Sequence, residues 1–493
     1  MHAPRGTGSR ARLRLAAAAA LAAALAGVAA CGGPSGGAGG ARADGGDGAA
    51  SHPWLEYAHP SRAGFDSAGL ARACSYADSV RSAAVMAVYR GHVVVACGAV
   101  DRRLELHSVR KSLVSALYGT AVDAGEIDLD ATLGRLGIDE DGKLTGAERK
   151  ATVLDVITAR SGVYLPAAYA PESQDERRPE RGSHAPGTFW YYNNWDFNVA
   201  EVIFERATGK DLYRAFDRRI ARPIGMEDYR PSDGFRAYEP TLSIYPALTF
   251  RMSARDLARF GELYLRDGRW NKRQVIPADW VRRSTTPVSD LGGGEGYAYM
   301  WWTYAPGWLP ADRYPVLSRH ALYMARGTGS QALWVIPALD LVVVHRADTD
   351  HGRGIHGPDA WRIAEIVAEA RTGEPAPSPD LVPMHATPFR SQLPAYRLPE
   401  PAPVDPADVD AVLGSYDVPG GGVMRVFRFR GDPYIHVPGR GDAKMIPLGD
   451  DRYTIRVVHG VDVAFRRDGA GAVTGLTLTL GDLTMRAERR ASG

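Results

Sequence analysis

Two pairs of apolar runs stand far apart in this chain, and their separation constrains the fold more than any other feature. Ala84 to Tyr89 and Val93 to Ala96 flank Arg90-Gly91 and read as a β-hairpin. Ala332 to Ile336 and Leu341 to His345 read as two further strands. Asp66 to Ser82 fits an amphipathic helix ahead of the first pair, and Ala360 to Ala370 a closing helix after the second. Between them residues 130–250 look helical and loop-rich, and Ser253 to Arg266 is a patterned helix that starts at a serine N-cap. Strands at both ends with helices between predict an α+β domain, in which one antiparallel sheet joins N- and C-terminal segments.

At 493 residues the chain is too long for one ordinary domain. Residues 373–405 are Pro-rich without periodicity and read as a linker. Beyond it Val423-Arg430, Pro433-Val437, Arg452-Val458, Val461-Arg466 and Val473-Leu480 are short strands between Gly/Asp turns. Residues 406–493 therefore read as a small all-β domain, a barrel or a sandwich. A formal net charge of +2 argues against nucleic acid as the main partner.

The N-terminus reads as a targeting segment, residues 1–30, with Arg5, Arg10, Arg12 and Arg14 ahead of an Ala/Leu-rich stretch. That stretch ends in Val28-Ala29-Ala30-Cys31, similar to a bacterial lipoprotein box, so Cys31 is the expected lipidated residue. Residues 31–51, rich in Gly, Ala and Ser, then form a tether, and the domain proper covers 52–372. The expected location is the bacterial cell envelope, exported and lipid-anchored. Cys74 and Cys97 remain, in no metal-ligand spacing; an exported compartment permits a disulfide, and two buried thiols fit equally well.

The helix after the first hairpin carries Ser108-Val109-Arg110-Lys111. A serine three residues before a lysine on a helix shares its face. Val109, Leu113, Ala116, Leu117 and Val122 recur at helical spacing, so the helix is largely buried. A serine hydroxyl is a poor nucleophile until a base removes its proton. Lysine can be that base when burial or nearby cations keep it neutral. Tyr192-Asn193-Asn194 follows downstream: Tyr192 is the expected proton relay beside Lys111, and Asn194 is expected to bind the substrate carbonyl or hold Lys111. This is acyl-transfer chemistry without a histidine.

With these motifs residues 65–372 resemble the serine β-lactamase and penicillin-binding-protein superfamily, in its class C and esterase-like branch. The surroundings fit as well: Ala159-Arg160-Ser161-Gly162-Val163-Tyr164, Glu205-Arg206-Ala207-Thr208-Gly209-Lys210 and Pro223-Ile224-Gly225-Met226. The resemblance implies a two-lobed transpeptidase-like fold, an antiparallel sheet flanked by helices plus a helical lobe. It also implies an acyl-enzyme at Ser108. The third family motif normally opens on Lys or His; here it reads Ala325-Arg326-Gly327-Thr328. By the same resemblance Gly327 and Thr328 border the substrate, and the N–H groups of Thr328 and Ser108 form the oxyanion hole. Alanine at 325 resembles the aminohexanoate-oligomer hydrolase and esterase branch. Strand alternation sends Arg326 to the face opposite Ala325. The expectation is therefore an ester or amide substrate with no required carboxylate, small or peptidic. A β-lactamase or D-Ala-D-Ala carboxypeptidase, or a non-catalytic envelope protein that binds peptidoglycan or peptide, are the alternatives.

Lesser signals remain. Asp139, Asp141, Gly142 and Glu148 fall at calcium-loop positions, but Gly137 stands where the first carboxylate is needed, so a polar turn is expected. The histidines form no metal motif, and neither metal nor cofactor is expected. His184 is a loop histidine that could line the cleft, and Phe189, Trp190, Trp195, Trp301 and Trp302 are candidates for an apolar acyl pocket.

Overall fold

The computed structural model describes residues 53–455, 460–480 and 483–491. The expected signal segment and Cys31 lie outside the described residues.

The two distant strand pairs do meet. Leu341–Arg346 runs antiparallel to Ala84–Tyr89, with Leu341 opposite Tyr89 and Arg346 opposite Ala84. They form the middle of a ten-stranded sheet. On one side follow Gln331–Ile336, Leu322–Gly327, Trp302–Tyr304, Glu295–Tyr297 and Ser289–Gly292; on the other His92–Gly98, Leu55–Tyr57 and Leu381–Pro383. The central strands are buried along their whole length, which is why they read as continuous apolar runs.

Helices cover both faces. Gly261, on the helix Ala254–Leu265, has no room for a side chain against Val342 and Leu333. The other face carries Trp334, which packs edge-on against Trp361 of the helix Gly357–Glu369. That helix packs in turn on Ser67–Ser79, whose N-terminus is capped by Asp66. Cys74 of this helix and Cys97 of the sheet form a disulfide, one of the two outcomes left open by the sequence.

The helical lobe holds Arg110–Asp123 and Asn194–Thr208 side by side. Residues 137–148 form a self-satisfied turn: the Asp139 carboxylate accepts from the N–H groups of Glu140 and Leu144, and Glu148 is paired with Arg181.

The Pro-rich stretch is less of a free linker than its composition suggests. Leu381–Pro383 adds a strand to the large sheet, and Phe389 is buried against Gly98. The C-terminal domain is a closed eight-stranded barrel. Three strands escaped the sequence reading: Gly414–Asp417, Gly441–Gly449 and Leu483–Arg489. The first is very short, and the other two carry charges or a proline that mask alternation.

Candidate active site

Ser108 sits in a single 3₁₀ turn, His107–Val109, that feeds the helix Arg110–Asp123. The turn places Ser108 Oγ 2.8 Å from Lys111 Nζ. Lys111 is buried, and its ammonium lies over the rings of Tyr192 and Phe197, at 4.7 and 4.8 Å. Burial holds its pKa well below the usual lysine value, and the neighbouring Arg110 guanidinium pushes the same way. A lysine so placed can lose its proton and accept another. Burial raises the Tyr192 pKa, against a smaller lowering by the neighbouring Ser108 hydroxyl, so Tyr192 stays a protonated hydroxyl able to pass a proton on.

The opposite wall is the end of the strand Leu322–Gly327 and its turn to Gln331. Gly327 lies so close to the Ser108 turn that a Cβ there would meet Leu106 O at 2.5 Å and Ser108 N at 3.1 Å. Only a residue without a side chain lets the strand approach the backbone amide of Ser108. Ser108, Tyr192, Gly327 and Thr328 all line one cavity of about 440 Å³.

Arg326 overturns part of the sequence argument. Alternation does separate it from Ala325, but the residue on the cavity side is the arginine. Ala325 is opposite Leu333, on the face covered by Ala254–Leu265, and is buried. Arg326 is opposite Ala332, on the face of Trp334, and lines the cavity. Its guanidinium lies 3.3 Å from the centre of the Trp302 ring and bonds the Tyr304 hydroxyl at 3.0 Å and Glu295 at 3.3 Å. The strand thus carries a cation into the cavity one position later than the family motif does.

Asn194 is the first residue of the helix Asn194–Thr208, and its amide nitrogen donates to the Tyr169 carbonyl. It is buried and is not part of the cavity wall. Of the aromatic candidates, Trp190 and Trp302 line the cavity, joined by Trp334 and Trp361. Trp195 and Trp301 are core residues, and Phe189 is exposed and stacked on His184. His184 bonds Tyr164 and Ser183, away from the cavity wall.

Several residues that shape the site were missed in the sequence. Phe197, Asn198 and Glu201 follow Asn194 at helical spacing on the face turned to the Ser108 helix. Glu201 takes Arg110 Nε at 2.9 Å and Asn198 takes Arg110 Nη2 at 3.2 Å, both fully buried. The signal was present: an arginine beside Lys111 in a buried helix demands a counter-charge. His107, just before Ser108, has φ +48°. Its ring bonds Tyr169 at 2.7 Å and Thr349 at 2.9 Å, and burial lowers its pKa to about 3, so the ring is neutral.

The beta-lactamase family model matches residues 68–368. Esterase EstB of Burkholderia gladioli is 30% identical over 162 residues, 28% of this chain and 40% of the esterase, so the match spans well under half of that relative. Among solved structures, that of SurE is similar at 19% identity and a TM-score of 0.46, covering 86% of this chain and 98% of the other. The octameric penicillin-binding protein homologue of Pyrococcus abyssi is similar at 16% identity and a TM-score of 0.46, covering 85% and 100%. With its family match spanning more than half of the sequence, the chain belongs to the beta-lactamase family.

Proposed function

We propose that the protein is an exported hydrolase that cleaves ester or amide substrates through an acyl-enzyme on Ser108. The observation that carries this reading is the 2.8 Å contact between Ser108 Oγ and a buried Lys111 whose pKa its surroundings hold well below the usual lysine value. Lys111 accepts the Ser108 proton while Oγ bonds to the substrate carbonyl carbon. The N–H groups of Ser108 and Thr328 hold the resulting oxyanion. Tyr192 relays the proton to the leaving alcohol or amine as its bond to the carbonyl carbon breaks. Water then attacks the acyl-enzyme, gives a proton back to Ser108 Oγ through Lys111 and releases the acid. Turnover of short-chain esters by the wild type, lost in Ser108→Ala with the fold intact by circular dichroism, supports this. Equal turnover by the variant overturns it.

A second reading, β-lactamase or D,D-peptidase, is favoured by one observation: Arg326 brings a positive charge to the cavity. Rapid cleavage of a chromogenic cephalosporin with little activity on short-chain esters would select it. Saturable binding without turnover of either class would instead select a non-catalytic envelope receptor.

Export and anchoring belong to the proposal. They are supported by Val28-Ala29-Ala30-Cys31 in the sequence and by the Cys74–Cys97 disulfide, a bond suited to an oxidising compartment. Metabolic labelling with a fatty acid, lost in Cys31→Ser, tests the anchor.

A further inference from the structure

Among the described residues the barrel adds nothing to the wall of the Ser108 cavity, yet it touches a chain of contacts that ends beside the nucleophile. The start of its strand Gly441–Gly449, at Gly441-Asp442, docks on residues 238–243 of the catalytic domain. Asp442 is fully buried; one carboxylate oxygen accepts from Thr241 N at 2.8 Å, the other bonds His436 at 2.8 Å. In return the Asp442 N–H donates to the Glu239 carboxylate. Beside it, Arg430 bonds the Tyr238 hydroxyl at 2.9 Å, and Tyr238 packs on Phe429. Gly441, at φ +86°, abuts Glu239 so closely that a Cβ would stand 2.0 Å from Oε2.

Glu239 also reaches inward, where its Oε1 accepts from Tyr169 N at 2.8 Å. Tyr169 is fixed at every polar atom. Its carbonyl accepts from Asn194, its hydroxyl bonds His107 at 2.7 Å, and its ring stacks on the His107 ring. Both Tyr169 and His107 have positive φ, at +63° and +48°, conformations that non-glycine residues hold only when neighbours over-determine them. His107 is bonded directly to the residue that carries the nucleophile.

We propose that the C-terminal barrel positions Ser108 through Glu239, Tyr169 and His107. This rests on Ser108 being the nucleophile. Glu239 is the joint: one carboxylate bonds a barrel amide and an amide of the segment that supports the Ser108 turn. Glu239, Tyr169 and His107 are positioning residues; none of them lines the cavity. Loosening the joint lets the Ser108 turn drift from its contact with Lys111, while the cavity that binds a small substrate keeps its walls. Turnover then falls without a change in binding.

The test uses the full-length protein and a short-chain chromogenic ester. Gly441→Ala wedges the joint from the barrel side, Glu239→Gln alters it at the centre, and Tyr169→Phe removes only the hydroxyl on His107. Each is expected to lower kcat by roughly ten- to hundredfold, the scale of a misplaced reacting group, with KM unchanged. The rate of fluorophosphonate labelling should fall in step. Gly441→Ala combined with Tyr169→Phe should cost less than the product of the two single losses, since both break one chain. Melting curves of each variant separate this from unfolding: variants that keep the wild-type transition and lose kcat support positioning. Unchanged kcat and labelling in folded Gly441→Ala and Glu239→Gln, a rise in KM alone, or independent effects of Gly441→Ala and Tyr169→Phe would overturn it. Undiminished labelling of Ser108→Ala overturns the nucleophile assignment instead, so the two failures are distinguishable.

Discussion

Lys111 can act as a base only while its ammonium is easier to deprotonate than a lysine in water. Burial supplies most of that bias and Arg110 adds to it, with Glu201 pulling the other way. The reactive form is the neutral amine, so kcat/KM rises with pH through the Lys111 pKa and then levels. That limb is expected well below 10.5, and a pH–rate profile in which activity still climbs toward 10.5 contradicts this. A second buried group makes a prediction about stability. Glu105 is fully buried with Arg251 at 4.0 Å, and burial raises its pKa from 4.5 to about 7. The folded protein holds this proton more tightly than the unfolded chain does, so stability falls as pH rises from about 4.5 to about 7. The loss from this group is roughly 3 kcal/mol. Glu105→Gln should remove that part of the decline in denaturant titrations at pH 4 and pH 8; an unchanged difference between the two pH values contradicts it.

At the scale of elements, periodicity located the central strands and the helices with ends displaced by up to three residues. Ser253 and Asp66 are the caps seen in the structure, because capping and apolar spacing are local signals. The strand Leu322–Gly327 shows where local reading stops. Its alternation was legible, but which face meets the cavity depends on its partner strand and on the helix behind it. Trp334 and Leu333, opposite Met324 and Ala325, decide that question. With Arg326 on the cavity side, a substrate carboxylate has a partner there. Arg326→Ala should raise KM for an ester bearing a carboxylate by roughly tenfold or more, the worth of one charged hydrogen bond, and leave a matched neutral ester nearly unchanged. Equal effects on both esters contradict this role. The same distinction applies to Asn194: the sequence placed it beside Tyr192, and the helix turned its amide to Tyr169.

In the whole molecule, the sequence showed two domains and the meeting of distant strands, because each half-sheet is incomplete alone. It did not show the docking of the barrel. Gly441 and Glu239 are some two hundred residues apart, and nothing local marks them as partners. The Cys74–Cys97 bond was likewise undecidable until the helix Ser67–Ser79 was laid on the sheet. It closes a loop at a sequence separation of 23, so Cys74→Ala with Cys97→Ala should cost about 3 kcal/mol in chemical denaturation. A double variant as stable as wild type contradicts a structural role for the bond. The proposed chemistry requires Ser108 as the acylated residue, and trapping the adduct tests this most directly. After reaction with a fluorophosphonate, intact mass and peptide mapping should find one equivalent of label on the peptide containing Ser108, and none on the Ser108→Ala protein. Label on another residue, or equal labelling of the variant, would contradict it.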